Sequence, residues 1–248
     1  MDLREIWVYL SGSPLFSLIL TLVAYQLGVM AHQRSGRSPL VNPVAIAVVL
    51  TAGVLLLIDM PYAQYFEGAQ FIHFLLGTAT VALAVPVAQG WHLLKGRFAE
   101  LGLALAMGGL VSVISSIGLA TVLGVPTNLV SPMLAKSVTA PIAMGISDSM
   151  GISPTLTAVY AVLTGVIGAI AATHLLNALG MRDWTARGFA VGVAAHGIGT
   201  SRAFAVHPDA GAFSSVGMGL HGVAGALLLP LIGPWLPGVA QLARGITS

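Results

Sequence analysis

Apolar residues run along this chain in long unbroken stretches, separated by short polar links. The stretches fall at approximately 14–31, 42–59, 70–90, 99–123, 129–147, 155–177, 187–205 and 214–237. A membrane-crossing helix needs about 20 predominantly apolar residues. Only helices and closed barrels satisfy every backbone group in lipid, and barrel strands alternate where these runs do not. The pattern therefore predicts an all-α membrane protein, a polytopic helical bundle of about seven to eight spans. It reads as a single integral membrane domain over 1–248, with about 42–69 as scaffold and about 70–237 as core.

Two of the runs are interrupted by residues that are costly in hydrocarbon. Leu134 to Ser147, LAKSVTAPIAMGIS, carries Lys136, Ser137, Thr139 and Pro141. Ionisable residues inside a membrane face a bundle interior or a water-filled cavity, and proline disturbs the helix around it. A lysine snorkelling from a span end beside an ordinary proline kink is the competing reading. The second concentration, Ala194 to Ala203, AAHGIGTSRA, places His196, Thr200, Ser201 and Arg202 around Gly197 and Gly199. Its glycines allow a broken helix with exposed amides, and arginine suits a carboxylate because its fork engages both oxygens. The alternative is a packed histidine and an arginine at a span end. A fainter echo of the lysine stretch lies at Leu76 to Pro86, LGTATVALAVP. Paired, interrupted segments are a pointer to a transporter binding site, so interrupted or re-entrant segments are expected near 70–90, 129–147 and 187–205.

Charge adds topology. Positive residues favour cytoplasmic loops. With the 32–41 loop inside, the Arg182/Arg187 loop also falls inside only if the lysine segment does not cross fully. The same count lets the seventh segment cross and puts the C-terminus inside.

Composition removes several functions. The chain is 56% hydrophobic and 7% charged, against about 25% charged in soluble domains. It lacks cysteine, which excludes disulfides and thiolate chemistry. The few basic residues sit in loops and give no nucleic-acid footprint. No histidine–carboxylate metal pattern, Walker loop or nucleophile elbow appears, so no enzyme, metal or cofactor is expected. Asp148 follows the lysine stretch and is a candidate, with His196, for carrying a coupled proton; a mouth-facing loop acid is the alternative.

KSVTAPIAMGIS, AHGIGTSRA, GAFSSVGMGLHGV and LGTATVALAVP resemble the LrgB/CidB family of bacterial membrane proteins. They are also similar to the C-terminal half of the plastidal glycolate/glycerate translocator. The resemblance covers about residues 10–237. It departs from the family pattern at Ala135 and Thr78, where proline is usual, at Gly145, where an acid is usual, and at Ala195, where serine is usual. The resemblance implies a transporter of small carboxylates, of the glycolate, glycerate or pyruvate type, working by alternating access in the bacterial inner membrane. Lys136 and Arg202 would attract the carboxylate; Ser137, Thr139, Thr200, Ser201 and the amides near Gly197 and Gly199 would bind its other oxygens. His196 would donate a hydrogen bond or carry a proton. Proton or sodium coupling, a homodimer and an LrgA/CidA-type small membrane partner are further implications. The family's other label, holin/antiholin-like, implies instead regulation of murein hydrolase export and cell lysis.

Overall fold

The computed structural model describes residues 14–38, 40–82, 85, 88, 92 and 95–235, and among these it is all helical. Two compact units divide at residues 81 and 82. The first contains α1 (Pro14–Arg34), α2 (Pro43–Leu57) and most of α3 (Tyr62–Ala82). Pro43 sits in the first turn of α2, where its missing amide is harmless, and Asn42 caps that helix by accepting from the amides of Val44 and Ala45. The Thr21 and Tyr65 hydroxyls meet at 2.7 Å, and Gly68 lets α3 lie against Ser17. α3 runs without a break to Ala82, so no interruption occurs in the part of the 70–90 segment that is described. The rest of the Leu76 to Pro86 echo lies largely outside the described residues, as does Arg244.

The second unit contains α4 (Phe98–Val122), α5 (Thr127–Val130), a 3₁₀ turn (Ser131–Ala135), α6 (Ala140–Ser149), α7 (Pro154–Ala178), α8 (Trp184–Val206) and α9 (Pro208–Ile232). Among the described residues, the helices long and apolar enough to cross a membrane are α1, α4, α7 and α9. That is fewer than the seven to eight expected. α6, within the expected interruption at 129–147, is too short to cross: its 10 residues span only about 15 Å, half of a bilayer core.

The 127–150 segment enters and turns back. A methyl group built at Gly233, just beyond α9, would meet both Leu134 and Met150; at Gly225 it would meet Val138 and Ile146; at Gly222 it would meet Ile142. The segment thus descends along α9 and returns, over a depth of about 16 Å. The break falls at Lys136–Thr139, and Pro141 occupies the first turn of the returning helix rather than a kink.

α8 does the same from the other end. One residue, His196, leaves helical geometry (φ 41°, ψ −137°), and the arms on either side fold together. A methyl at Gly199 would touch Val191 and Ala195, whereas residues 191 and 199 of a straight helix lie about 12 Å apart along the axis. At the base of this hairpin the rings of Trp184 and His207 stack at 4.9 Å. The descending arm passes Ala210 and Ser214 on α9 at Gly188 and Gly192, and the returning arm brings Phe204 back to Gly211. The interruption expected near 187–205 is present: the break at His196 lets both arms fold together and pack on α9, where the loop charges had allowed a simple crossing. A Trp184→Cys/His207→Cys pair in this cysteine-free chain should be linked by a short bismaleimide. Two sites at opposite faces of a membrane would not be.

The two hairpins enter from opposite ends of α9 and meet at its middle, one reaching His221 and the other Gly222. α4 and α7 pack along both. Ile117, Ala120 and Ala161 join the apolar cluster around the first hairpin, while Leu101 and Leu176 join those around the second. Lys95, Arg97, Arg182 and Arg187 all lie at the end from which the second hairpin enters. The turns at the other end, 123–126 and 150–153, carry no lysine or arginine.

Candidate functional site

The site grows out of the first hairpin's break. Between the 3₁₀ turn and α6 the chain leaves helical hydrogen bonding, and this brings Lys136 against α4 at half depth. The half-buried ammonium Nζ donates to Ser112 Oγ at 2.9 Å and lies 3.4 Å from Ser137 Oγ, and the two serine hydroxyls bond to each other. The close contacts between oppositely charged groups among the described residues are Arg97–Glu100 and, where its imidazole is protonated, His207–Asp209; none involves Lys136. The Thr139 hydroxyl, at the N-cap of α6, is buried with no hydrogen-bond partner among the described residues. α6 also turns its positive end toward this depth.

Lys136 forms the floor of a cavity of about 550 Å³ between α4 and the descending arm of α8. Leu101, Ala104, Gly108, Phe189, Ala190 and Val193 form apolar walls; Ser112 and Ser115 stand near the lysine, and Arg97, Glu100, Met181 and Thr185 form the mouth. From Arg97 to Ser112 the cavity follows α4 for about 22 Å. At the mouth Arg97 pairs with Glu100 at 3.2 Å, reaches Thr185 Oγ1 at 3.4 Å and lies over the Phe213 ring. The arrangement is a dead-end vestibule whose floor carries a cation with no ion-pair partner among the described residues.

Asp183 fixes the base of the second hairpin by capping α8. Its carboxylate accepts from the Thr185 hydroxyl and from the Ala186 amide at 2.7 Å, and these bonds hold it below the usual carboxylate range. A carboxylate with a depressed folded-state pKa stabilises the fold above its unfolded pKa and ceases to as pH falls through the folded value. Asp183→Asn should thus unfold at a lower temperature than wild type near neutral pH, and the two should converge below about pH 4.

The structure divides the other candidate residues. His196 is buried, and its Nε2 donates to the Ala161 carbonyl at 2.7 Å while Thr200 Oγ1 donates to the His196 carbonyl at 2.7 Å. Its backbone geometry costs about 1–3 kcal/mol, and these bonds, with the ring seated against Gly165, hold it in place. Thr200 also meets Ser214 Oγ at 2.9 Å. Gly197 faces Met218, and Gly199 is closed between the arms. Ser201 is exposed and bonded back to Ile198. Arg202 lines a separate cavity of about 30 Å³ with Thr173, Trp184 and Arg187. That cavity lies on the face of the descending arm opposite the vestibule, so Lys136 and Arg202 do not converge. Asp148 is exposed on the returning arm of the first hairpin and makes no ion pair among the described residues.

Sequence reading passed over Ser112 and Ser115. The signal for the serines was present: Ser112, Ser115 and Ser116 recur at helical spacing within an otherwise apolar run. Among the described residues no cluster of three or more histidines and acids could hold a metal.

The model of the LrgB-like family matches residues 21–235, which takes in both hairpins and every helix that packs on them. The chain belongs to the LrgB-like family. This family member is 33% identical over 216 residues to the uncharacterized protein YwbG of Bacillus subtilis strain 168, covering 87% of this chain and 96% of that protein. It is 29% identical over 215 residues to the holin-like protein CidB of Staphylococcus epidermidis strain RP62A, covering 87% of this chain and 93% of the relative. No solved structure matches. Family and apolar helices together make it a multi-pass membrane protein.

Proposed function

We propose that this LrgB-like protein carries small carboxylates across the bacterial cytoplasmic membrane by alternating access. The observation that supports this most is Lys136: an ammonium held by two serines at the floor of a vestibule of about 550 Å³. An unpaired cation at bilayer depth is costly and marks a substrate or ion path. A carboxylate beside it would be neutralised, with the Ser112, Ser137 and Thr139 hydroxyls left for the remaining oxygens of a glycolate-, glycerate- or pyruvate-type acid. Gly197, Gly199, Thr200 and His196 then serve by shaping the opposing hairpin tip, while Arg202 and Ser201 would engage substrate only in another conformation. Counting α2 and α3, we read six crossing helices and two re-entrant hairpins. By the positive-inside rule the vestibule opens to the cytoplasm, and the first hairpin closes the other side. Proton or sodium coupling, a homodimer and a small LrgA/CidA-type membrane partner belong to the same reading.

The relatives' names support a second reading, and taken alone they favour it: a holin-like protein that regulates murein hydrolase export and lysis. A lesion-forming assembly has no requirement for a lysine-floored vestibule, and on that ground we place the carrier first. Liposomes loaded with dyes of increasing size separate the two. The carrier leaves every dye trapped; a graded leak that grows with protein density supports the holin-like reading instead.

A further inference from the structure

We propose that His221 is the proton-coupling residue of this core, gaining a proton as a small carboxylate binds beside Lys136 and releasing it with the anion. The inference rests on the carrier reading above. His221 sits on α9 where the hairpin tips meet. Its Nδ1 lies 2.7 Å from the Val193 carbonyl of the second hairpin, and the next residue, Gly222, adjoins Ile142 of the first. A carbonyl only accepts, so Nδ1 carries the hydrogen and the neutral ring presents Nε2 as a lone pair. That nitrogen faces α4: a methyl group built at Gly109 would lie 3.4 Å from it. Gly109 is the neighbour of Gly108 in the vestibule wall and one turn from Ser112, which holds Lys136. The ring's one free nitrogen is therefore directed at the wall above the ammonium.

The groups around it set the direction of coupling. The first hairpin brings Lys136 and the second brings His196; within two turns, α4 and α9 bring hydroxyls but no titratable group. With no anion bound, the lysine's charge opposes a second positive charge on His221. A carboxylate at Lys136 cancels that opposition and favours the imidazolium. Linkage makes the effect reciprocal: a proton on His221 raises anion affinity by the same factor. Anion and proton then cross as a neutral pair. His196 is unsuited to this role because its ring is wedged against Gly165 of α7, whereas the free nitrogen of His221 faces α4 beside the vestibule wall. Asp148 is exposed on the hairpin's outer arm.

The test uses the full chain in liposomes with labelled glycolate, and protein-free liposomes to subtract passive entry of the acid. Under an inward proton gradient the wild type should accumulate glycolate several-fold above the gradient-free level. His221→Asn, whose amide nitrogen can still donate to Val193, should lose that response. Wild-type-like accumulation in the variant overturns the assignment. Should the variant not fold, the wild type decides: glycolate added in weak buffer should draw up about one proton per anion bound, and no uptake overturns the proposal. Wild-type flux indifferent to the gradient removes the coupling and leaves the carrier; no glycolate flux at all removes the carrier as well.

Discussion

Replacing Lys136 with alanine is expected to abolish saturable glycolate flux in liposomes while the protein still elutes as a folded species. Removing one member of a buried charge pair costs about 2–5 kcal/mol, so affinity should fall about 30-fold or more. The fold should survive because Lys136 supports no ion pair among the described residues, and its ammonium is served by Ser112 and Ser137 alone. Those two hydroxyls remain bonded to each other when the lysine is gone. Lys136→Arg should restore little, since a planar guanidinium cannot take the compact position of the ammonium between two serines. Unchanged flux in Lys136→Ala would remove the assigned site whatever the fold.

The second large effect is expected at Gly192. A methyl group there would collide with the Ser214 carbonyl oxygen and approach the Met218 amide, both backbone atoms of α9. Neither can rotate away, so the second hairpin must lift from α9. Overpacking a tight interface costs about 1–3 kcal/mol and more when backbone must move. Gly192→Val should therefore lower the thermal unfolding midpoint and stop flux together. Gly102→Ala, on α4 with nothing within 4 Å of the new methyl, should leave both unchanged. Equal midpoints for the two variants would contradict the close approach of hairpin and helix.

These two positions also show what the sequence could convey. Lys136 was legible because a charge in a long apolar run is physically anomalous, and the loop charges already favoured a segment that does not cross fully. The second hairpin was legible only as a glycine-rich interruption. The sequence left open whether it crosses or turns back: Arg187 and Arg202 leave the run apolar enough to read as a span, and the turn depends on one strained residue, His196, held by Ala161 35 residues away. The separation of Arg202 from Lys136 was likewise hidden. Helical spacing places residues on a face but does not say which cavity the face lines, and the descending arm has a cavity on each side. Ser112 lies 24 residues from the lysine it holds, so its role comes from how α4 packs against the first hairpin.

Counterflow in liposomes tests the central claim most directly. Vesicles carrying the protein and preloaded with unlabelled glycolate, together with a trapped dye, are diluted into labelled glycolate. The carrier account predicts transient, saturable accumulation of label that is lost in Lys136→Ala, with the dye retained throughout. Label that only equilibrates, without saturation and in step with dye loss, would contradict it.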